Sequence, residues 1–461
     1  MSNETVINKI LNHVLKEIKP SDKEYKDTIL KINLIISSLK EIVPKDVEIK
    51  VTGSVSRGTN LKGNSDIDIF LLFKTGTTKD YLEKMGLKYG KALVKNKSDS
   101  YSIKYAEHPY VRVFLKSLNI KADIVPALKI ENAEQLATAV DRTPLHTIFI
   151  NEKLNEKQKD QVRLLKYFLK NHSLYGAETK TSGFSGYLCE VLIYHFGTFL
   201  NVLRWSSNLS NNVVILLNNK EDDKATLSEN ELIKKFNSEF IVVDPIDKNR
   251  NVAAVLSKES ISRFIVVSRK FLEAPSLDYF YGLKYSNAKL KNYLKTFIEK
   301  SGLDIFSLTV NLPDKSEEIL WPQLKKSSTI IEEHLKKNEF DIYLSLQFIS
   351  DKKGVIVLLA PKQEKRTRMF KGPGVINKKG TEQFMSSHSK TLGFTFLDSR
   401  IYSLDYVYYK NISEALSSIK KNRQLYFHKD INLSNIKISK NKFSSKITNE
   451  IAYELMKKFY I

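Results

Sequence analysis

The residues of this chain that could do chemistry together begin with a pair of aspartates. Asp66 and Asp68 flank one isoleucine at the start of an apolar run, and side chains at i and i+2 of a strand point to the same face. Two neighbouring carboxylates repel each other unless a cation neutralises them. Magnesium prefers oxygen ligands of this kind, completed by water and substrate phosphate. The pair therefore predicts a magnesium site.

A third carboxylate, Asp123, lies in a second strand-like segment, residues 120–126. Three carboxylates can hold two metal ions, of which one activates an attacking hydroxyl and the other stabilises the leaving pyrophosphate. On this hypothesis Asp66, Asp68 and Asp123 are the metal ligands and the catalytic residues. Asp123 is expected to lie nearest the acceptor hydroxyl.

A short turn upstream of the aspartates has the composition of a phosphate-binding loop. Gly53 would let the backbone approach a phosphate closely, and the N–H and hydroxyl of Ser54 could donate to it. Arg57 could add a charge-assisted hydrogen bond. An isolated Asp-x-Asp or Gly-Ser is common and usually structural. The ordered combination of turn, carboxylate pair and later Asp123 favours nucleotidyl transfer.

The charge of the chain favours a polyanionic partner. Lys and Arg number 74 against 52 acidic residues, which gives a net charge of +22 over 461 residues. Such an excess is typical of proteins that bind nucleic acid or an anionic membrane surface, although a generally lysine-rich composition would look the same. The only cysteine, Cys189, excludes an intramolecular disulfide and a multi-cysteine zinc site.

The apolar runs of the sequence are too short to span a bilayer, and the N-terminus lacks the apolar core of a signal peptide. We therefore expect no membrane partner and a cytoplasmic location. Three domains are predicted, 1–150, 151–280 and 281–461. The first is an α+β unit by its hydrophobic periodicity, and the second boundary follows from a cluster of Pro275, Gly282 and polar residues.

Helical and strand periods alternate along these domains. The predicted helices cover residues 5–18, 22–42, 80–95, most of 157–205, 257–273, 323–337, 412–420 and 446–459. The predicted strands cover 47–52, 66–73, 110–116, 120–126, 213–217, 239–243, 303–311, 341–348, 354–360 and 402–409. The first domain is thus α+β, the second mainly helical and the third again mixed.

Gly53-Ser54 followed by Asp66-Ile67-Asp68 resembles the signature of the DNA polymerase β-like nucleotidyltransferase superfamily. Further blocks, dense over 50–280, resemble the archaeal (class I) CCA-adding enzymes. They include Tyr105-Ala106-Glu107-His108-Pro109-Tyr110, Asp141-Arg142-Thr143-Pro144-Leu145-His146, Val162-Arg163-Leu164-Leu165-Lys166, Tyr175-Gly176-Ala177-Glu178, Val243-Asp244-Pro245-Ile246-Asp247 and Arg250-Asn251-Val252-Ala253-Ala254.

The resemblance implies an α+β chain with three parts: a polymerase β-like nucleotidyltransferase head, a helical central neck, and a C-terminal α+β, ferredoxin- or RRM-like body with a tail. It implies addition of C, C and A to the 3′ end of tRNA from CTP and ATP, with two Mg²⁺ ions and no template. The partner would be the tRNA acceptor arm. The oligomeric state stays open, with a homodimer among the alternatives.

Several residues acquire a role only through this resemblance. The family's metal ligands map onto Asp66, Asp68 and Asp123, although the family commonly has Glu at the first position. Its nucleotide-binding residues map onto Gly53, Ser54, Arg57, His146, Lys166 and Tyr175, and Arg250 matches an arginine of base selection. Without the resemblance, Lys166 would be a solvated helix residue, Tyr175 a packing residue, His146 a cap or core histidine and Arg250 a surface arginine.

Two basic segments near the C-terminus are candidates for contact with RNA. The first, with Gly372-Pro373-Gly374 inside it, is expected to be a loop that follows an RNA backbone or is simply solvated; it contains Lys362, Lys365, Arg366, Arg368, Lys371, Lys378 and Lys379. The second leads into the final helix and contains Lys440, Lys442, Lys446, Lys457 and Lys458. The aromatic signature of an RRM is not recognisable, so stacking of bases on a sheet is not predicted.

Three other functions compete with CCA addition. A poly(A)-type polymerase or a small-molecule nucleotidyltransferase would share the three carboxylates, but the second would not need a basic chain of 461 residues. A catalytically inactive RNA-binding scaffold would need neither the carboxylates nor Gly53-Ser54. The products formed on tRNA would separate the first of these from a CCA-adding enzyme.

Overall fold

The computed structural model describes residues 3–63, 66–96, 98–105, 107–209, 213–217, 228–282, 285–364 and 367–459. The chain divides into two compact units, Met1–Leu283 and Lys284–Ile461. Each unit has its own apolar cores and is described separately below.

The first unit begins with two helices and a twisted sheet. Its strands are β1 (Glu48–Thr52), β2 (Ile67–Phe73), β3 (Ser100–Tyr105), β4 (Pro109–Leu115) and β5 (Ile120–Leu128). The helices are α1 (Asn3–Ile18), α2 (Asp22–Ile42), the single turn α3 (Gly53–Ser56) and α4 (Lys79–Ala92). The sheet order is β1-β2-β5-β4-β3, with β2 and β5 parallel and the other neighbours antiparallel.

The alternation expected along β2 is confirmed. Ile67, Ile69 and Leu71 are fully buried in a core that also receives residues of α2, α4 and β5. The opposite face carries Asp68 and Phe70, so one face of the strand builds the core while the other builds a cleft. Asp66 precedes the strand and is exposed, whereas the sequence placed it inside the strand.

The rest of the first unit is mainly helical, as predicted. It contains α5 (Thr143–Lys153), α6 (Glu156–Asn171), α7 (Gly186–Phe196), α8 (Phe199–Ser207), β6 (Val213–Ile215), α9 (Glu229–Phe236), β7 (Phe240–Val242), α10 (Lys258–Glu273) and α11 (Asp278–Tyr281). Helix α6 starts at a capping box formed by Asn155 and Gln158 and buries an arc that includes Leu165 and Phe168. Helix α1 packs into the same core through Ile7 and Val14.

In the described part of the chain, no single helix is long and apolar enough to cross a membrane. Helices α7 and α8 pass that test only as a pair, and the pair is bent by 90° at its break. Both helices bury residues in the core around Phe168.

The second unit contains a ferredoxin-like arrangement. Its elements are α12 (Asn287–Ser301), β8 (Leu303–Asn311), α13 (Glu317–Lys337), β9 (Leu344–Ser350), β10 (Lys353–Pro361), β11 (Thr367–Gly374), α14 (Lys378–Ser387), β12 (Gly393–Leu397), β13 (Arg400–Tyr406), α15 (Ile412–Lys421), β14 (Asn432–Lys440) and α16 (Ser445–Phe459). The chain order β8-α13-β9-β10-α15-β14 and the antiparallel sheet order β14-β8-β10-β9 are those of the β-α-β-β-α-β motif. This confirms the predicted C-terminal fold.

Both faces of this sheet are covered. Helices α13 and α15 pack on one face through residues such as Ile331 and Leu416. Helices α12 and α16 pack on the other through residues such as Leu294 and Leu455. Because an RRM stacks bases on the face opposite its two helices, the α12 and α16 cover explains why the aromatic signature was not found.

The expectation of a basic loop in the second unit is wrong. Residues after 366 form strand β11 and helix α14, which belong to a small sheet of order β11-β13-β12 inserted before α15. Pro373 favoured the prediction of a loop, because proline cannot donate a hydrogen bond to a neighbouring strand. It is tolerated here since β11 is an edge strand whose register shifts between Lys371 and Gly374. Lys365 and Arg366 lie outside the described residues.

Candidate active site

Two of the three predicted carboxylates lie side by side. Asp68 on β2 is the direct register partner of Asp123 on the parallel strand β5. Burial, and after it the negative charge of Asp123, raise the pKa of Asp68 to about 6. Asp66, exposed just before β2, adds a smaller repulsion. The charged form of Asp68 is therefore destabilised in this arrangement. A cation bound beside the two carboxylates would stabilise it.

Gly53 is required by these carboxylates as much as by any phosphate. It follows β1, whose last residue, Thr52, is the register partner of Asp68. Its φ is +75°, and a Cβ at this position would lie 1.8 Å from Asp68 Oδ2. Only glycine therefore fits between the turn and the carboxylate. The sequence predicted a close approach at Gly53 but named a phosphate as its cause.

Arg112 is a residue of the site that sequence reasoning missed. It stands opposite Asp123 on the antiparallel strand β4. Its Nε donates to Asp123 Oδ1 and its Nη2 to Asp123 Oδ2, both at 2.6 Å. The hydrogen bonds to Asp123, joined by its charge, raise the pKa of Arg112. The sequence signal for Arg112 is its place in the alternating pattern of β4. That place indicates contact with Asp123 only when the register of β4 with β5 is known.

The donor set fits magnesium by its chemistry. Asp68 and Asp123 offer neighbouring carboxylate oxygens, and Asp66 directly precedes strand β2. No cluster of three or more His, Cys, Asp or Glu ligands is assembled among the described residues, and Arg112 neutralises Asp123 in this conformation. The pair can thus receive a hard cation, while inclusion of Asp66 as a third ligand stays a prediction.

A cavity of about 280 Å³ opens over this face of the sheet. It contains the two carboxylates, the glycine turn and apolar side chains of β2 and β5. Its lining residues are Gly53, Arg57, Asp68, Phe70, His108, Tyr110, Asp123, Val125, Val140 and Thr143. The cavity therefore joins the predicted metal site to Arg57.

Arg57 is held by a buried ion-pair cluster. Its Nε lies 2.9 Å from Glu190 Oε2, and Lys166 Nζ lies 3.0 Å from Glu190 Oε1. Thr59 donates to the same carboxylate and accepts from Lys166. Burial opposes ionisation of Glu190, but Arg57 and Lys166 together hold the pKa of Glu190 below its usual value. Glu190 thus anchors the turn that follows the phosphate loop to α7.

The position of Lys166 differs from that of a solvated helix lysine, because its side chain is only 2% exposed. Burial lowers the pKa of Lys166 against the opposing charge of Glu190. Gly186 connects Lys166 with Tyr175, since a Cβ there would lie 3.0 Å from the Tyr175 hydroxyl and 3.6 Å from Lys166 Nζ. The side-chain ends of both predicted nucleotide-binding residues therefore lie beside the first residue of α7.

A second cluster is centred on Asp244, which the sequence reasoning did not assign to the site. Its Oδ2 lies 2.9 Å from His146 Nε2 and 2.7 Å from Arg250 Nη1, and Tyr187 donates to its Oδ1. Burial would raise the pKa of Asp244, but these hydrogen bonds, led by that from His146, hold it at about 2. The rings of His146 and Tyr187 stack at 3.8 Å. The structure thus joins two predicted residues, His146 and Arg250, through one fully buried carboxylate.

A second cavity, of about 470 Å³, lies beside Arg250. Arg142 Nη1 and Asp247 Oδ2, 2.6 Å apart, form an ion pair on its wall. The other lining residues are Ala177, Ser185, Phe236, Asn249, Asn251, Val252, Ala254 and Val255. Besides Arg142, Asp247 and Arg250 its lining is uncharged, and a cavity of this kind can hold a small organic group.

Comparison with known proteins bears on this geometry. The nucleotidyltransferase domain family matches residues 32–146, the second domain of tRNA nucleotidyltransferases 160–281, and the C-terminal domain of CCA-adding enzymes 301–437. A CCA-adding enzyme of Methanocaldococcus jannaschii is 38% identical over 94% of this chain and 93% of its own. The chain belongs to the archaeal CCA-adding enzyme family.

Other CCA-adding enzymes show the same breadth of similarity. One from Methanococcus maripaludis is 39% identical over 75% of this chain and 76% of its own length. One from Archaeoglobus fulgidus is 35% identical over 82% of each chain. The three matched domains follow the predicted order of nucleotidyltransferase, helical and C-terminal parts.

We expect Gly53→Ala to reduce nucleotidyl transfer by about 100-fold, because displacement of a reacting group by about 1 Å can cost that much. Gly76→Ala is the matched control, since Gly76 also has a positive φ, +88°, but nothing lies within 4 Å of an added Cβ. Both variants carry about 1–2 kcal/mol of backbone strain. Initial rates with magnesium measure the difference. Equal rates for the two variants would show that contact with Asp68 is unimportant.

We expect Glu190→Gln to lower the free energy of unfolding by about 3–5 kcal/mol, because Arg57 and Lys166 would be left as buried cations without their carboxylate. Lys166→Met should cost less, since Glu190 keeps Arg57. Denaturant unfolding of both variants gives the comparison. The opposite order of stability would contradict the central place of Glu190.

Proposed function

We propose that this protein adds C, C and A to the 3′ end of tRNA, from CTP and ATP, without a template and with release of pyrophosphate. The observation that carries the proposal is the similarity to CCA-adding enzymes over 94% of the chain. The paired carboxylates Asp68 and Asp123, which such chemistry needs, lie in a cavity open to substrate.

In this mechanism Asp66, Asp68 and Asp123 would hold two magnesium ions and are the catalytic residues. Magnesium bound there would supply activation of the attacking hydroxyl and stabilisation of the leaving pyrophosphate. Gly53 keeps the turn clear of Asp68, as its missing Cβ requires. Ser54 donates to a phosphate of the nucleotide, and Arg57, fixed by Glu190, adds a positive charge on the cavity wall.

The second cavity and the Asp244 cluster bind the nucleoside in this proposal. Asp244 orients the His146 ring and the Arg250 guanidinium, so both present fixed hydrogen-bonding edges. Burial lowers the pKa of His146, against the opposing hydrogen bond to Asp244, which favours a neutral ring. Lys166 and Tyr175 contribute to nucleotide binding indirectly in this proposal, because the Lys166 ammonium is already hydrogen-bonded to Thr59 and Glu190.

We further propose that residues 1–150 form the catalytic head, 151–280 the nucleotide-binding neck and 281–461 the tRNA-binding body and tail. Exposed cations such as Lys371, Lys378 and Lys379 on β11 and α14 suit contact with the RNA backbone. Arg368 is less available, since it is paired with Glu339. We also propose a cytoplasmic location, with which action on tRNA is consistent, and a homodimer stays a prediction.

The deciding experiment supplies tRNAs that end at the discriminator base, at C and at CC, with CTP, ATP, UTP or GTP, singly and mixed. We expect CTP alone to extend the first substrate by two residues, and ATP to add one residue to tRNA ending in CC. A tRNA that already ends in CCA is the control and should gain nothing.

Other products would exclude the proposal. Long A tails would identify a poly(A)-type polymerase, and no incorporation into any RNA would fit a scaffold. Addition of UMP or GMP at rates equal to those of CMP and AMP would show that the Asp244 cluster does not select the base.

A further inference from the structure

The loop that ends at Arg250, residues 244–250, is attached to the start of α5 at two points. Each of its two aspartates binds one side chain there. Asp244 Oδ2 lies 2.9 Å from His146 Nε2, and Asp247 Oδ2 lies 2.6 Å from Arg142 Nη1. Arg142 is the N-cap of α5 and His146 follows one turn later, so the two side chains are neighbours on one side of the helix. The first turn of α5 thus holds the loop through both of its acids.

The backbone of Arg250 is fixed within the same loop. Its N–H donates to the carbonyl oxygen of Asp247 at 2.9 Å, and its carbonyl oxygen accepts from the N–H of Asp244 at 3.0 Å. Asp247 also closes a turn of its own, because its Oδ1 accepts from the N–H of Asn249. Asp247 therefore determines where the backbone of Arg250 lies, while Asp244 binds the guanidinium through Nη1.

The ion pair between Arg142 and Asp247 is built into the wall of the second cavity. The two side chains are 15% and 12% exposed, and both line the cavity together with Arg250. Arg142 is itself anchored, because its Nε donates to the carbonyl oxygen of Ala139 at 3.0 Å. A largely buried ion pair adds little net stability, since desolvation offsets its attraction, but it restricts the orientation of the groups that it joins. The pair is therefore suited to hold Arg250 in place.

Helix α5 connects this loop with the turn that is proposed to bind phosphate. Thr147 on α5 accepts a hydrogen bond from Arg57 Nη1 at 3.4 Å, and Thr143 lines the first cavity. One short helix thus contacts both the groups proposed to bind the triphosphate and the loop that carries Arg250. A shift of the loop away from α5 would move Arg250 relative to a bound triphosphate.

We propose that the Arg142–Asp247 ion pair is a determinant of nucleotide selection, because it fixes the position of Arg250 against the base. The proposal rests on the function proposed above, in which Arg250 and the second cavity bind the nucleoside. A site that hydrogen-bonds its substrate rejects a substrate that leaves its buried polar groups unpaired, provided that those groups cannot move. Both members of the pair are positioning residues, since they act through Arg250 and line the cavity that does not contain the carboxylates.

The test breaks the ion pair from each side and from both sides together. Asp247→Asn removes the charge but keeps a side-chain oxygen for the turn at Asn249, and Arg142→Met keeps most of the apolar stem. Arg142→Lys keeps a charge without the planar fork, and it carries the test should the other variants fail to fold. Asp160→Asn is the control, because Asp160 forms another 2.6 Å ion pair of similar burial, to Arg163, and lines neither cavity.

Single-nucleotide incorporation is measured with each NTP, on tRNA ending at the discriminator base and on tRNA ending in CC. We expect the ratio of kcat/KM for CTP over UTP on the first substrate, and for ATP over GTP on the second, to fall about tenfold in Asp247→Asn and in Arg142→Met, the equivalent of one lost hydrogen bond. The double variant should fall no further than either single variant, since the two residues act as one pair. Arg142→Lys should lie between Arg142→Met and wild type, and Asp160→Asn should select as wild type does.

Inhibition by inorganic tripolyphosphate supplies a readout that contains no base. Its inhibition constant reports on the phosphate-binding residues and should change less than about twofold in every variant, because the pair does not contact them. A residue needed merely for folding would instead weaken tripolyphosphate and all four nucleotides together. The combination of lost selectivity with intact tripolyphosphate binding therefore separates positioning of Arg250 from a general structural role.

Three kinds of result would overturn the proposal. Unchanged nucleotide ratios in both single variants would show that the pair does not position Arg250. Losses that multiply in the double variant would show two independent contributions. An equal loss of selectivity in Asp160→Asn, or an equal weakening of tripolyphosphate, would make the pair structural. Failure of the proposed function would look different, since the wild type itself would not complete CCA. If the wild type extended another RNA instead, the same nucleotide ratios on that RNA would still test the pair.

Discussion

Two largely buried carboxylates on neighbouring parallel strands repel each other, and much of the first unit is arranged around that repulsion. Asp68 has its pKa raised to about 6 by burial and by Asp123. Residue 53 is glycine, which leaves room for the carboxylate of Asp68, and Arg112 binds both oxygens of Asp123. The strands tolerate the pair because their other faces are packed by residues such as Ile67 and Ile124. Arg112 compensates the charge of Asp123, whereas a bound cation would stabilise the charged form of Asp68.

Two further buried acids organise the walls around the pair. Glu190 holds Arg57 and Lys166, and Asp244 holds His146 and Arg250. In each case one inaccessible carboxylate fixes two cationic or polar side chains from different elements. Such clusters contribute little net stability, because desolvation offsets the attraction, but they restrict the orientation of the groups they hold. Fixed orientation is what a site needs when it selects a nucleotide without a template.

Sequence patterns predicted many of the helices and strands, which depend on local spacing, but not α12, β11, α14 or β14. The alternation around Asp68 identified the core face of β2, and the apolar runs predicted strands β8 and β10. The ferredoxin-like arrangement of those strands was implied by the family resemblance. The site residues that the patterns missed depend on contacts between distant segments. Arg112, Glu190 and Asp244 acquire their roles only through the register of β4 with β5 or the packing of α7. Lys166 looked like a surface lysine for the same reason, since its buried partner lies 24 residues away.

The claim that the Asp68 and Asp123 pair awaits a cation is tested most directly by thermal unfolding of wild type, Asp68→Asn and the exposed control Asp80→Asn, with and without magnesium at about pH 8, above the raised pKa of Asp68. We expect magnesium to raise the unfolding temperature of wild type and of Asp80→Asn. Asp68→Asn should be more stable than wild type without magnesium, because a repelled charge is gone, and should lose both the magnesium response and nucleotide incorporation. A less stable Asp68→Asn that keeps the full magnesium response would contradict the account.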